Sequence, residues 1–136
     1  MRQKAQVSME YLMVIGFALL MVIPVILVFF TQTETIKDSV NLNQARTVAR
    51  EIAENVETVA YLGKPAMTTI KVTFPDTVKK VTIGNREISL QIETAGGLSD
   101  IFETVSANVS GTIAPVSGIH HLTIEATSSN ITIAES

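Results

Sequence analysis

The sequence predicts an α+β fold: one long N-terminal α-helix, apolar in its first half and amphipathic in its second, followed by a small antiparallel β-rich head. Three observations carry that expectation. Between Glu10 and Glu34 lie 23 consecutive residues without a charge, nearly all of them large and apolar. Beyond Thr31 the apolar residues recur at multiples of three and four, the helical period. After Gly63 the period becomes two, and turn-forming residues punctuate it. The expected division is a helix over 6–62 and a head over 63–136.

The apolar run begins near Gln6 and ends at Phe30. At ~1.5 Å rise per residue, a helix of that length spans roughly the ~30 Å hydrocarbon core of a bilayer. The rest of the 136-residue chain offers no comparable apolar face to bury it, so membrane insertion is expected. Arg2 and Lys4 supply the positive flank of a cytoplasmic end. Glu10 falls in the first turn, where an unpaired carboxylate in lipid costs several kcal/mol. The far end, Leu27-Val28-Phe29-Phe30-Thr31-Gln32, lacks the small residues that a secretory signal peptidase requires. Conventional removal of the segment is therefore not expected.

The stretch Gln6-Val7-Ser8-Met9-Glu10-Tyr11-Leu12 resembles the Q-x-S-x-E-Y-L pattern of archaeal class III signal peptides, which are found on type IV pilin-like proteins. The resemblance covers about the first 30 residues and does not extend to the head. It implies cleavage between Ala5 and Gln6 by a membrane prepilin peptidase, so that the basic leader 1–5 is lost and the apolar helix is kept. Gln6, Glu10, Tyr11 and Leu12 become, by the same resemblance, the start of the assembling surface. The implied protein is a pilin, a non-enzymatic structural subunit. It is a membrane-embedded precursor first, then part of an extracellular helical homo-oligomer serving adhesion or attachment. Its implied partners are copies of itself, an assembly ATPase and a membrane platform protein. Two alternatives stand beside it. One is a minor pilin-like component of a filament or secretion machine. The other is a single-pass, membrane-anchored extracellular binding protein, which would keep Met1 to Ala5.

Composition narrows the function classes. The formal net charge is −3, and loss of Arg2 and Lys4 would take the mature chain to −5. Neither value suits a nucleic-acid surface, and aromatic residues are scarce outside the apolar run. The chain has no cysteine, which excludes disulfides and thiolate metal sites.

Element by element, the helix continues past Thr31 with Ile36, Val40, Val48, Ile52, Val56 and Val59 on one side. Ala45, Ala49, Ala53 and Ala60 fill the same stripe. Lys37, Asp38, Arg46, Arg50, Glu51, Glu54 and Glu57 are assigned to the solvated side, with Arg50 and Glu54 spaced for an i,i+4 pair. Gly63 and Pro65 stop the helix. A continuous helix from Gln6 to Leu62 would be about 85 Å long, more than a membrane requires. Its second half should therefore pack outside the bilayer. Gly16 and Pro24 are candidate breaks. Pro24 in particular cannot donate to Leu20 and should kink or unwind the helix locally.

In the head, Ile70, Val72 and Phe74 alternate with polar neighbours before a turn at Pro75-Asp76. Val81 and Ile83 lead into a hairpin signal at Gly84-Asn85, answered by Ile88, Leu90 and Ile92. Gly96-Gly97 reads as a loop. Shorter strands are expected over 101–105, 110–113, 120–126 and 130–134, giving a small sandwich or open barrel. So small a core is marginal alone and should lean on the helix and on neighbouring subunits.

No constellation marks an enzyme, cofactor or metal site. His120 and His121, the only histidines, point to opposite faces of a strand and so cannot easily chelate one ion. They read as ordinary strand residues. Ser8 has no histidine partner nearby and reads as a packing or capping group. The head carboxylates are scattered, no phosphate-binding glycine loop is present, and Lys79-Lys80 is too small for a basic patch. Asn108-Val109-Ser110 and Asn130-Ile131-Thr132 are N-glycosylation acceptor motifs, which would make the exported protein a glycoprotein at Asn108 and Asn130.

Overall fold

The computed structural model describes residues 2–136. The fold is α+β: helix α1 (Arg2–Leu62), then strands β1 (Met67–Phe74), β2 (Val78–Gly84), β3 (Glu87–Thr94), β4 (Gly97–Thr104), β5 (Val109–Thr112), β6 (Gly118–Ala126) and β7 (Ile131–Glu135). The chain divides into two compact units, Met1–Lys37 and Asp38–Ser136. The division falls inside α1, so the helix from Asp38 onward belongs to the head's own compact unit.

α1 begins ahead of Gln6 and runs through Gly16 and Pro24 as unbroken helix. The local unwinding expected at Pro24 is absent: proline removes one donor from the ladder, while the turns on either side keep theirs. Gly63 ends the helix. Its φ of 67° is a left-handed conformation, and its N–H donates to the Val59 carbonyl at 3.0 Å, closing the last turn.

In the second unit the helical stripe is buried from Ala45 to Val59. Alanines at 45, 49 and 53 let the strands approach closely, and Ile52, Val56 and Val59 fill the space between. The stripe starts later than its periodicity suggests. Ile36 and Val40 remain 61% and 48% exposed, since periodicity records only which side of a helix is apolar, not where its cover begins. The expected Arg50–Glu54 pair forms at 3.0 Å, with both side chains exposed.

Two sheets share this core. One has the order β1-β6-β7-β5 and the other β2-β3-β4. Pairing is antiparallel, as expected of the head, except between β5 and β7, which run parallel. β2 lies alongside β5, where the two sheets meet. The Pro75-Asp76 turn therefore carries the chain between sheets instead of closing a hairpin. Phe74, Val72, Leu122, Ile124, Ile131 and Ile133 of the larger sheet meet Val78, Ile88, Leu90, Ile92 and Ile101 of the smaller one in one cluster with the helix stripe. Burial of each large side chain stabilises by about 1.5–3 kcal/mol. Seven of the buried apolar residues come from α1, which is how so small a head acquires a core.

Two turns lie one residue away from their sequence signals. Gly84 pairs with Glu87, so the β2–β3 turn consists of Asn85 and Arg86, at φ 52° and 64°. Both central residues are left-handed, as a type I′ hairpin requires. Likewise Gly97 is the first residue of β4, pairing with Thr94 around Ala95-Gly96.

Candidate assembly surface

The residues singled out at the N-terminus lie together on α1. Ala5, Gln6, Glu10, Tyr11 and Leu12 are all helical and exposed, Tyr11 and Leu12 by 67% and 65%. Every large apolar residue from Val7 to Phe30 is likewise exposed. The helix is long and apolar enough to cross a membrane, and none of its most apolar stretch is buried. Such a surface is compatible with membrane association.

The polar residues that close the apolar run are turned back onto the helix. Thr31 Oγ1 donates to the Val28 carbonyl at 2.8 Å, and Thr33 Oγ1 donates to the Phe29 carbonyl at 3.0 Å. Satisfied in this way, these hydroxyls add little polarity to the end of the run. Glu10 is the single charge within it and has no ion-pair partner among the described residues.

Two helix carboxylates, assigned from the sequence to the solvated side, instead bind the head. Asp38 Oδ2 accepts the Ala95 N–H at 2.9 Å, reaching the β3–β4 turn. Glu57 accepts both the N–H and the hydroxyl of Ser106, each at 2.5 Å, just after β4. These two bonds, above all the one to the hydroxyl, hold the Glu57 carboxyl below its ordinary range.

His120 is more than an ordinary strand residue. It is 6% exposed, and its ring lies 4.6 Å from that of Phe74. Nδ1 faces Glu135 Oε1 at 2.5 Å, and Nε2 faces the Val116 carbonyl at 2.8 Å. Glu135 Oε2 also accepts the Ala114 N–H at 3.0 Å. The Ala114 bond, then the His120 bond, lowers the Glu135 pKa. The network ties the β5–β6 connection to the last strand. His121, on the opposite face, is exposed. Among the described residues no group of three or more His, Asp or Glu converges on one point.

A shallow groove of about 750 Å³ lies between the helix at Asn43, Gln44 and Thr47 and the β1 residues Lys71 and Thr73, with Asp76 of the following turn. Val40, Val48, Phe74 and Pro75 share its walls with these polar residues. The two glycosylation motifs, separate in sequence, are neighbours at the far end of the head.

Sequence reasoning located the apolar surface and missed the tethers. Glu57 follows Val56 at the border of the buried stripe, a position that could have marked it. Nothing local marks the pairing of His120 with Glu135, which depends on the β6–β7 register.

Fold and surface together define a class: a chain with one membrane-compatible apolar helix that continues into a separately cored α+β head. Comparison with protein-family models, with curated proteins and with solved structures finds no match to this chain.

Proposed function

We propose that this chain is a non-enzymatic subunit of a surface filament of the archaeal type IV pilin kind, anchored in the membrane as a precursor and assembled through α1. The observation that carries the proposal is the unburied apolar surface from Val7 to Phe30, opening on Gln6-Val7-Ser8-Met9-Glu10-Tyr11-Leu12. With each large apolar side chain worth about 1.5–3 kcal/mol on burial, water is not a tolerable final environment for that surface. Lipid covers it before assembly, and copies of the same helix cover it afterwards. The head already has its own core, so it leaves this surface free for assembly. In this reading a prepilin peptidase cleaves between Ala5 and Gln6. An assembly ATPase and a membrane platform protein then move the subunit from membrane to filament.

The test is the mass of the mature N-terminus from the native host, with electron microscopy of material sheared from the cell surface. A chain beginning at Gln6 and abundant in filaments is the expected result. A chain that retains Met1 and stays with the membrane would be a single-pass anchor and would overturn the reading. Processed protein at low stoichiometry in a filament of other subunits would make it a minor component.

A further inference from the structure

β2 and β5 meet where the two sheets join, while the other two ends, β1 and β4, have no strand beyond them. One contact beside each strand fixes which of its backbone groups are unpaired. The Ala126 N–H donates to the Ala66 carbonyl at 2.9 Å, continuing the β1–β6 register. Antiparallel partners alternate between residues that exchange both bonds and residues that exchange none. The N–H and C=O groups of Met67, Thr69, Lys71 and Thr73 therefore face away from β6. On β4, the Val105 N–H donates to the Arg86 carbonyl at 2.9 Å, continuing the β3–β4 register. By the same alternation the groups of Leu98, Asp100, Phe102 and Thr104 face away from β3.

Both rows are accessible. The side chains of all these residues are exposed, Met67 by 64% and Leu98 and Phe102 by 65% each. Neither Lys71 nor Asp100 has an ion-pair partner among the described residues. Asp100 accepts Gln91 Nε2 through Oδ1 only, which leaves Oδ2 available. The edge at Lys71 and Thr73 opens on the groove beside Asn43, Gln44 and Thr47, and the groove leaves room for a strand there.

An unpaired edge recruits strands of other chains unless it is blocked. Laid antiparallel, the two edges have one register that overlaps all four free positions of each. It sets Met67 opposite Thr104, Thr69 opposite Phe102, Lys71 opposite Asp100 and Thr73 opposite Leu98. The same register matches the single cation of one row with the single anion of the other. It also makes a β-branched–aromatic pair of Thr69 and Phe102 and puts Met67 diagonal to that ring. Like edges at the same overlap leave both charges unmatched, Lys71 against Thr69 and Asp100 against Phe102.

We propose that β1 of one head pairs antiparallel with β4 of a second copy of this chain, Lys71 opposite Asp100, as the contact between heads in the filament. The proposal rests on the filament reading above. Because the contact joins two different surfaces, every copy keeps a free edge for the next. It propagates into a helical array instead of closing a dimer.

The test uses filaments of the full chain from the native host, and the absence of natural cysteine makes it specific. Opposed residues that exchange both bonds have Cα atoms about 5.5 Å apart, within disulfide range. Oxidised K71C/D100C filaments are expected to give a ladder of dimers, trimers and higher species on a non-reducing gel. K71C alone and D100C alone should give none. K71D should cut filament yield roughly fivefold, and K71D/D100K should restore it. Dimers from either single variant would mean that like edges meet and would overturn the proposal, as would K71C/D100C filaments without cross-links. Should the cysteine pair fail to assemble, the charge swap decides: a wild-type yield from K71D, or no recovery in K71D/D100K, overturns the contact. Where wild-type chains beginning at Gln6 form filaments, these failures remove this contact alone. If the wild type retains Met1 and forms none, the filament reading fails and the contact with it.

Discussion

Glu57 holds Ser106 with both carboxylate oxygens, one on the backbone N–H and one on the hydroxyl. The residues are 49 positions apart, and the contact fixes the last turns of α1 to the segment that leaves β4. Asp38 does the same nineteen residues earlier through Ala95, so the amphipathic half of the helix is tied to the smaller sheet near both of its ends. Apolar packing alone leaves a helix some freedom to slide along its axis. Two directional bonds remove it.

Glu57→Gln is expected to lower stability by about 1 kcal/mol, within the range for hydrogen bonds to a charged group after allowance for partial exposure. The effect depends on pH. A carboxyl whose folded pKa is depressed contributes fully at pH above its ordinary value of 4.5, and the contribution is lost as pH falls through the lower folded value. Urea titrations at pH 7 and at pH 3 test this. The difference between wild type and variant should be present at pH 7 and shrink at pH 3; an equal difference at both would rule out the ionised contact.

Arg86 carries a conformational cost that glycine would not. It holds φ 64° beside Asn85 at φ 52°, and a left-handed conformation disfavours a long side chain by about 1 kcal/mol. Arg86→Gly also loosens the unfolded chain, which offsets part of the gain. The net expectation is a stabilisation of about 0.5 kcal/mol. The Val105 N–H should keep its bond to the residue 86 carbonyl, 2.9 Å long in the wild type. A lower thermal midpoint in the variant would contradict this account of the turn.

Gly111 is required for space, not for its dihedral freedom. A Cβ at this position would overlap the Ile133 carbonyl on the parallel partner strand. The obstacle is backbone, which cannot rotate away. Gly111→Ala should therefore cost about 3 kcal/mol or more, beyond ordinary overpacking. Near-wild-type stability would mean that β5 and β7 are not so closely apposed.

These positions show how far the sequence could be read. The stripe from Ala45 to Val59 and the alternation of β1 and β3 follow from burial on one side, which leaves a period in the chain. The turn at Asn85-Arg86 is displaced by one residue because Gly84 attracts the assignment by type, while the pairing of Gly84 with Glu87 decides it. The parallel β5–β7 pair and the tethers of Asp38, Glu57 and His120 join distant segments, and no local pattern encodes such contacts. The apolar surface is the opposite case. It depends on composition alone and was legible in full.

His120→Leu should show what the buried network does. Glu135 and the Val116 carbonyl are both acceptors, and the substitution removes the ring that faces them while leaving an apolar group against Phe74. A loss of stability is expected from the ring's two hydrogen bonds, tempered because Glu135 and Val116 are exposed and water can replace the ring at both acceptors. Hydrogen exchange at the Ala114 amide should accelerate more than at Leu122, because the Glu135 carboxylate that receives it loses its second anchor. Uniform acceleration across the head would indicate a general packing defect instead.

Glu10 is the charge that the proposed assembly must accommodate. α1 starts at Arg2, so Glu10 stands beyond the first turn in which the sequence placed it. Only removal of the leader 1–5 would bring it to about one turn from a helix N-terminus, where the dipole favours a carboxylate and, in the proposed membrane-embedded state, the headgroups are close. Among packed copies of α1 the headgroups are gone, and the carboxylate must be paired or protonated. If cleavage exposes Gln6, its new amine lies about 6 Å away along the axis, on the same or a neighbouring subunit. If Gln6 cyclises, the contact becomes a hydrogen bond to the lactam or to backbone N–H groups. In either form the pairing sets axial register more than it adds stability, because a buried pair gains little net energy against its desolvation. Glu10→Ala is therefore expected to leave cleavage and membrane insertion largely intact while reducing filament yield about tenfold or more, the loss produced by a deficit of some 1.4 kcal/mol per subunit contact. Glu10→Gln keeps the size and hydrogen bonding but not the charge. Its recovery of filaments would assign the role to hydrogen bonding, and its failure would assign it to the ion pair. Normal filament number and length from the alanine variant at wild-type expression would remove Glu10 from the assembly mechanism.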